Sequence, residues 1–191
     1  MFPVNVPNVL TVLRILLVPV LVVALLDATP SGDLLAAIVF VVASLTDLLD
    51  GYLARTRNAV TTFGKLMDPI ADKLLIIAAL VSLVSLHRLA AWVAMVIIAR
   101  EFAVTAMRMA AGAQGVVIEA SLFGKAKTVM QIAMVLALIA AGDARPLWLD
   151  LLVDATVAVT VLSGVDYFLG LRRRLGQRDE GPDRAPVDRA A

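Results

Sequence analysis

The chain has no cysteine and a single histidine, His87. Without cysteine there are neither disulfides nor thiol catalysis. Without Cys or His near its acidic residues, a soft-metal site has no ligands. His87 itself lies at the end of an apolar run and reads as a loop residue with no role. Aromatic residues make up only 5%, and the formal net charge is +1. The first basic residue is Arg14, so the basic region of a cleaved signal peptide is missing and none is expected. No internal repeat is evident.

What the chain does have is hydrocarbon. At 61% hydrophobic over 191 residues, it exceeds the roughly 45–50% apolar share of soluble domains. Its length suits one domain. Several apolar runs approach the roughly 20 residues that cross a bilayer as a helix. The reading is an all-α integral membrane protein with six transmembrane helices, over residues 9–26, 34–55, 64–86, 89–109, 120–141 and 147–171. Residues 1–8 form a short interfacial segment, with Asn8 placed to cap the first helix. Residues 27–33 read as a turn. Pro19 in the first span is tolerated, as prolines in membrane helices are. Pro69 suits the first turn of the third, where its missing N–H is not needed. The membrane domain covers residues 9–175. Residues 176–191, rich in charge and proline, are expected to be a disordered tail.

Six spans put both termini on one side. Of 17 Lys and Arg, only Arg88 and Arg145 fall at the opposite turns. The positive-inside rule then places both termini in the cytoplasm, with the protein in the inner (plasma) membrane.

One window in this hydrocarbon is polar. Asp47-Leu-Leu-Asp50-Gly51-Tyr-Leu-Ala54-Arg55 is followed, eight residues on, by Gly64-Lys-Leu-Met-Asp68-Pro-Ile-Ala-Asp72. A helix advances about 100° per residue. Asp47, Asp50, Gly51, Ala54 and Arg55 therefore share one face of the second span, near its end. Asp68 and Asp72, at i and i+4, share a face at the start of the third. Four carboxylates this close raise each other's pKa unless a cation holds them ionised. All-oxygen ligands suit a hard cation, Mg²⁺, Mn²⁺ or Ca²⁺. Four acids can hold two ions, and two-metal sites serve phosphoryl chemistry. Gly51 and Gly64 leave the backbone open to a large ligand, and Arg55 can pair with a phosphate oxygen. The window reads as a site for a diphosphate-bearing substrate. A plainer alternative has helix-end acids in ion pairs with Arg55, Arg57, Lys65 and Lys73. It accounts for any one aspartate but not for the whole pattern, because ionisable residues in membrane helices are costly and mark function.

Basic residues recur near the same side. Arg100 and Arg108 lie two turns apart on one face of the fourth span, and Glu101 is able to pair with a neighbouring base. Gly124-Lys125-Ala-Lys127-Thr128 opens the fifth. Lys125 and Lys127 are about 200° apart on a helix, so one of them faces the site. Lys127 has the alternative of interfacial snorkelling. A basic cluster beside a two-metal site suits a second phosphate. Arg172 to Arg174 read as a topology anchor at the anionic leaflet. Asp154 has no role in this scheme, Asp166 is placed to pair with the arginine cluster, and Asp150 belongs near the outer face.

The spacing Asp-x2-Asp-Gly-x2-Ala-Arg-x8-Gly-x3-Asp-x3-Asp, filled at every fixed position, resembles the signature of the CDP-alcohol phosphotransferases, membrane enzymes of phospholipid synthesis. Asn5-Val-Pro-Asn8-Val-Leu-Thr11-Val-Leu-Arg14, Arg100-Glu101-Phe102 and Gly124-Lys125-Ala-Lys127-Thr128-Val-Met-Gln131 are similar to stretches of the bacterial phosphatidylglycerophosphate synthases. The likeness covers about residues 3–172. It implies a homodimer in the lipid bilayer with a cytoplasm-facing, metal-lined cavity, and no nucleic-acid partner. It implies two Mg²⁺ or Mn²⁺ ions on Asp47, Asp50, Asp68 and Asp72, with Asp72 also the general base. The donor would be CDP-diacylglycerol, its CDP lined by Asp47, Asp50, Gly51, Ala54, Arg55 and Gly64. The acceptor would be glycerol 3-phosphate, its phosphate on Arg108 and Lys125, with Arg100. The products would be phosphatidylglycerophosphate and CMP.

Two alternatives stay open. One is the same chemistry on another acceptor. Myo-inositol 1-phosphate fits the charge, whereas serine would leave Arg108 and Lys125 without a purpose. The other is a divalent-cation transporter. Transport sites lie near the bilayer midplane, whereas these acids sit at helix ends, and a bare cation needs neither Gly51 nor Arg55.

Overall fold

The computed structural model describes the backbone of residues 6–57, 62–113 and 122–179, and the side chains of residues 9–46, 70, 73–113 and 123–174. Six helices carry the described chain: α1 (Val6–Leu26), α2 (Pro30–Arg57), α3 (Thr62–Ser85), α4 (Ala91–Ala113), α5 (Leu122–Ala141) and α6 (Leu147–Asp179). The all-α reading holds. Among the described residues, three helices are long and apolar enough to cross a membrane, over Val9–Leu26, Phe123–Ala141 and Leu147–Arg174. Two more carry shorter apolar stretches, Pro30–Thr46 and Lys73–Ser85. In α4, Arg100, Glu101 and Arg108 interrupt the hydrocarbon.

Several ends differ from the expectation. α1 starts at Val6, so Asn8 lies in its first turn and not at its cap. α2 starts at Pro30, inside the segment expected to be a turn. The Thr29 hydroxyl accepts a hydrogen bond from the Gly32 amide at 3.0 Å, and the Asp33 amide bonds the Thr29 carbonyl at 2.8 Å. Thr29 is thus the cap and Pro30 the first helical residue, where proline costs nothing. Pro69 falls in the interior of α3, as its eighth residue. α4 runs on to Ala113. α6 runs to Asp179, so residues 176–179, expected in the tail, are helical. Leu, Arg and Gln are good helix formers, and Gly176 alone costs about 1 kcal/mol against alanine. Residues 180–191 of the expected tail lie outside the described chain.

The helices pack as two groups. α1 lies against α2 and α3, and α6 against α4 and α5, with α2 on α5 and α3 on α4 joining them. The core follows helical periodicity. Leu21, Ala24 and Leu25 of α1, Ala36, Phe40 and Ala43 of α2, and Met134, Val135 and Leu138 of α5 are all buried. The buried stripe of α6 reads Leu149, Val153, Thr156, Thr160, Ser163, Tyr167, alternating four and three residues apart. Its small polar members let helices approach closely and bond one another, as membrane bundles require. Gln131 of α5 donates to the Thr160 hydroxyl at 3.3 Å, and Arg100 of α4 donates to the Ser163 hydroxyl at 2.9 Å. The exterior is hydrocarbon too. Met95 is 69% exposed, Val23 69% and Leu147 74%, a surface suited to lipid.

One end of the bundle is tied by charge. Arg88, in the turn between α3 and α4, donates to Asp33 at the start of α2 (2.6 Å) and to Asp143 in the α5–α6 turn (3.2 Å). Asp33, and after it Asp143, raise the guanidinium pKa against the cost of burial. Arg145 bonds the His87 carbonyl at 2.6 Å and lies 4.0 Å from Asp150. His87 is an exposed turn residue with a φ of 58°, as a loop role anticipates.

Candidate functional site

The motif sits at the other end. Asp47, Asp50, Gly51, Ala54 and Arg55 belong to the second half of α2, and Gly64, Asp68 and Asp72 to the first half of α3. Both segments are helical throughout, so the spacings assumed from the sequence apply. Their side chains lie outside the described ones. The register of their neighbours is informative all the same. Ala36, Phe40 and Ala43 form the buried stripe of α2, and positions 47 and 50 continue it at four and three residues. Leu75 and Ala79 form that of α3, and positions 72 and 68 continue it backwards at three and four. The carboxylate positions therefore extend the two core stripes. Among the described residues, no three acidic or histidine side chains cluster as metal ligands.

A cavity of about 70 Å³ with both charged and apolar walls lies next to these positions. Its lining includes Ser44, three residues before Asp47, and Lys73, the residue after Asp72. Arg14 of α1, Glu101 of α4, and Lys127 and Gln131 of α5 complete its polar wall. Arg14 is 1% exposed, Lys127 7% and Glu101 9%. Lys127 donates to the Glu101 carboxylate, which Arg100 also reaches at 3.2 Å. Arg100 in turn holds Ser163, and its aliphatic stem lies where a Cβ on Gly164 would come within 3.3 Å. A chain of contacts thus runs from α5 through α4 to α6, as Lys127, Glu101, Arg100 and Ser163. The lining also has an apolar part, from Phe40, Leu75, Ile76 and Ile132.

The basic candidates separate. Of the two lysines that open α5, Lys127 is turned inward and Lys125 is exposed. Arg100 is half-buried and committed to Glu101 and Ser163. Arg108 is exposed, with its guanidinium 5.7 Å from the Tyr167 ring centroid, a cation–π distance. Asp154 and Asp166 face outward. Asp166 makes no ion pair with the arginine cluster among the described residues; Arg173, seven residues on, shares its face but lies about 10 Å further along the axis. Arg14, Lys73 and Gln131 were not singled out as site residues. Periodicity would have found them. Thr11, Arg14, Leu21 and Leu25 form one stripe of α1, and Lys127, Gln131, Met134 and Leu138 one stripe of α5.

Residues 4–165 match the model of the CDP-alcohol phosphatidyltransferase family. The chain is similar to the CDP-diacylglycerol–glycerol-3-phosphate 3-phosphatidyltransferase of Bacillus subtilis, at 42% identity over 86% of this chain and 93% of that protein. It is similar to a probable phosphatidylglycerophosphate synthase of Mycobacterium tuberculosis, at 40% identity over 90% and 84% of the two chains. A Rickettsia bellii protein with the same name as the Bacillus one is 34% identical over 88% of this chain and 96% of its own.

Proposed function

This chain belongs to the CDP-alcohol phosphatidyltransferase family, and we propose on that premise that it transfers a phosphatidyl group from CDP-diacylglycerol to sn-glycerol 3-phosphate. The products are phosphatidylglycerophosphate and CMP. The observation that carries the reading is a coincidence in space. The filled eight-residue signature and a cation-lined cavity share one end of the bundle, joined through Ser44 and Lys73. The names of the relatives supply the substrates.

Asp47, Asp50, Asp68 and Asp72 fit two divalent cations, because α2 and α3 are in contact and offer oxygen donors at i, i+3 and i, i+4. Bound Mg²⁺ or Mn²⁺ would neutralise the diphosphate and the charge on departing CMP. Gly51, Ala54 and Gly64 admit the cytidine diphosphate, and Arg55 pairs with its phosphate. Asp72 accepts the proton of the acceptor hydroxyl. That oxygen bonds to the β-phosphorus, and the bond from the β-phosphorus to the bridging oxygen breaks, leaving its electron pair on CMP. A carboxylate is a weak base for an alcohol, so it must lie within hydrogen-bond reach of the hydroxyl. Arg100, Arg108 and Lys125 supply positive charge for the acceptor phosphate. The apolar exterior keeps the diacyl chains in the bilayer while the headgroup reacts. In this reading all six helices span the membrane, as one domain over residues 9–175 with the site and both termini cytoplasmic, and two chains pair as a homodimer.

The test is an acceptor panel. Purified protein with Mg²⁺ or Mn²⁺ and CDP-diacylglycerol is given each alcohol in turn, and CMP release is followed. Release with glycerol 3-phosphate alone is the expected result. Release with inositol 1-phosphate instead would replace the acceptor and keep the site. No release with any alcohol, together with metal uptake into proteoliposomes, would make the protein a transporter.

A further inference from the structure

The proposed reaction uses the signature end of the bundle. A groove of about 770 Å³ lies at the other end, between α1 and α2. That is within the roughly 300–1,000 Å³ of ligand sites. Its walls are hydrocarbon, from Pro19, Val20 and Val23 of α1 and Leu35 of α2. Val20, Val23 and Leu35 are exposed. Its polar side chains, Asp27 and Ser31, stand where α1 ends and α2 begins. From Pro19 to Leu26 a helix rises about 10 Å, less than half of the roughly 30 Å hydrocarbon core. The groove is therefore polar at its mouth, apolar along its length, and confined to one leaflet.

Two tryptophans mark the level of that mouth. Trp92 and Trp148 are exposed and are the second residues of α4 and α6. Both helices begin at this end, where Arg88 ties their preceding turns to Asp33 of α2. Exposed tryptophans on membrane helices sit at headgroup level, so a lipid headgroup would meet Asp27 and Ser31. Charge narrows the class of headgroup. Asp27 is the only charged residue in the lining. It accepts a hydrogen bond from the Thr29 hydroxyl and makes no ion pair among the described residues. The cations of this end are engaged elsewhere, Arg88 with Asp33 and Asp143 and Arg145 with the His87 carbonyl. A carboxylate has about four acceptor sites, and an ammonium brings three donors. A second copy of the chain, docked here on a two-fold axis, would set Asp27 against Asp27, a like-charge contact that disfavours it.

We propose that this groove holds one phospholipid with a primary-amine headgroup, its ammonium on Asp27 and an acyl chain along Val20, Val23 and Leu35. The inference rests on α1 and α2 crossing the bilayer, as proposed above. The bound lipid is neither donor nor product of the reaction. It covers the apolar seam between α1 and α2 at the end away from the signature.

The test is native mass spectrometry of the full-length protein in detergent, titrated with phosphatidylethanolamine or with phosphatidylglycerol of the same acyl chains. One phosphatidylethanolamine per chain should be retained in preference to phosphatidylglycerol. Asp27→Asn keeps an acceptor for Thr29 but loses the charge, and should weaken phosphatidylethanolamine about tenfold, the effect of losing one charge-assisted hydrogen bond. Val23→Trp fills the groove and should abolish that binding. If Val23→Trp does not fold, Val20→Trp carries the same decision. CMP release should stay within about twofold in each variant, because the groove is remote from the signature. Equal retention of the two lipids, or retention that neither variant changes, would overturn the proposal. A lipid-free dimer that Val23→Trp splits would give the groove to a second copy and overturn it as well. Recovery of the protein in the soluble fraction without detergent would fail the membrane reading and the proposal with it, and that arm is read before any variant.

Discussion

Gly32→Ala is a substitution whose sign depends on packing alone. Gly32 lies in the first turn of α2, a solvent-independent helical position where alanine is favoured over glycine by about 0.5–1 kcal/mol. On propensity alone the variant is stabilised. The structure predicts the reverse. A Cβ at position 32 would stand 2.6 Å from the backbone carbonyl oxygen of Ala24 in α1, and 3.1 Å from both Asp27 Oδ2 and Thr29 Oγ1. The first contact cannot be relieved by a rotamer change, because a helix backbone has to move. Overpacking of this kind costs about 1–3 kcal/mol. The shift would also disturb the Thr29 cap on the Gly32 amide, worth about 1 kcal/mol.

The net expectation is destabilisation by about 1–3 kcal/mol. For a chain of this length each kcal/mol moves Tm by about 2–4 °C, so a drop of several degrees follows. Trp92 and Trp148, the two tryptophans, report the melt by intrinsic fluorescence in detergent. Gly112 and Gly170 are internal controls, because a Cβ there meets nothing within 4 Å. Gly170→Ala should melt at or above the parent. If Gly32→Ala also melts at or above the parent, α1 and α2 are not as close as described and the reasoning fails.

Other expectations concern the two polar ends. Asp72→Asn should lower turnover by about 10²–10⁴-fold, the usual worth of a general base, while binding of the CDP-lipid stays measurable. Near-normal turnover would remove Asp72 from that role. Chelation of divalent cations should abolish CMP release, and added Mg²⁺ or Mn²⁺ should restore it; activity that survives chelation contradicts the metal reading. Arg88→Met strands Asp33, a side chain 15% exposed beside an arginine 6% exposed. Breaking a buried pair in this way costs about 3–5 kcal/mol, visible as a lower Tm. Gly142→Ala forces a side chain onto a φ of +57°, worth about 1–2 kcal/mol, and should lower Tm less than Arg88→Met does.

Much of this was legible in the sequence, because lipid simplifies the problem. Long apolar runs can only be helices there. Hydrocarbon length therefore located α1 and α5 closely, to within about three residues at each end. It was less able to place ends set by local bonds. Thr29 caps α2 earlier than the turn residues suggest, and α6 continues past Gly176 because nothing in Arg172–Arg174 or Gln177 stops a helix. The signature was legible because spacing along two helices is all it needs. The cavity was not, because it is assembled from α1, α3, α4 and α5. Lys127 is the instructive case. Composition leaves it open to snorkelling and gives no reason to prefer it to Lys125 for the site. Its phase with Gln131, Met134 and Leu138 shows that it belongs to the buried stripe. Glu101 carries the same signal, in phase with Val93, Ile97 and Val104.

The two ends of the bundle handle charge in opposite ways, and the contrast bears on which end can act on a substrate. At the Arg88 end, one buried guanidinium meets two carboxylates, Asp33 and Asp143. Arg145 closes on a backbone carbonyl and on Asp150. Those donors are spent within the protein, which fixes three turns relative to one another and leaves none of them for a ligand. At the Lys127 end, three cations line a cavity with a single described acid, and that acid is divided between Lys127 and Arg100. Those cations have protein partners too, so the ends differ in arrangement: one ties turns together, the other gathers its charges around a cavity. The carboxylate positions of α2 and α3 lie at this same end, and under the proposed function they would hold a nucleotide diphosphate through metal ions, with this cavity beside them.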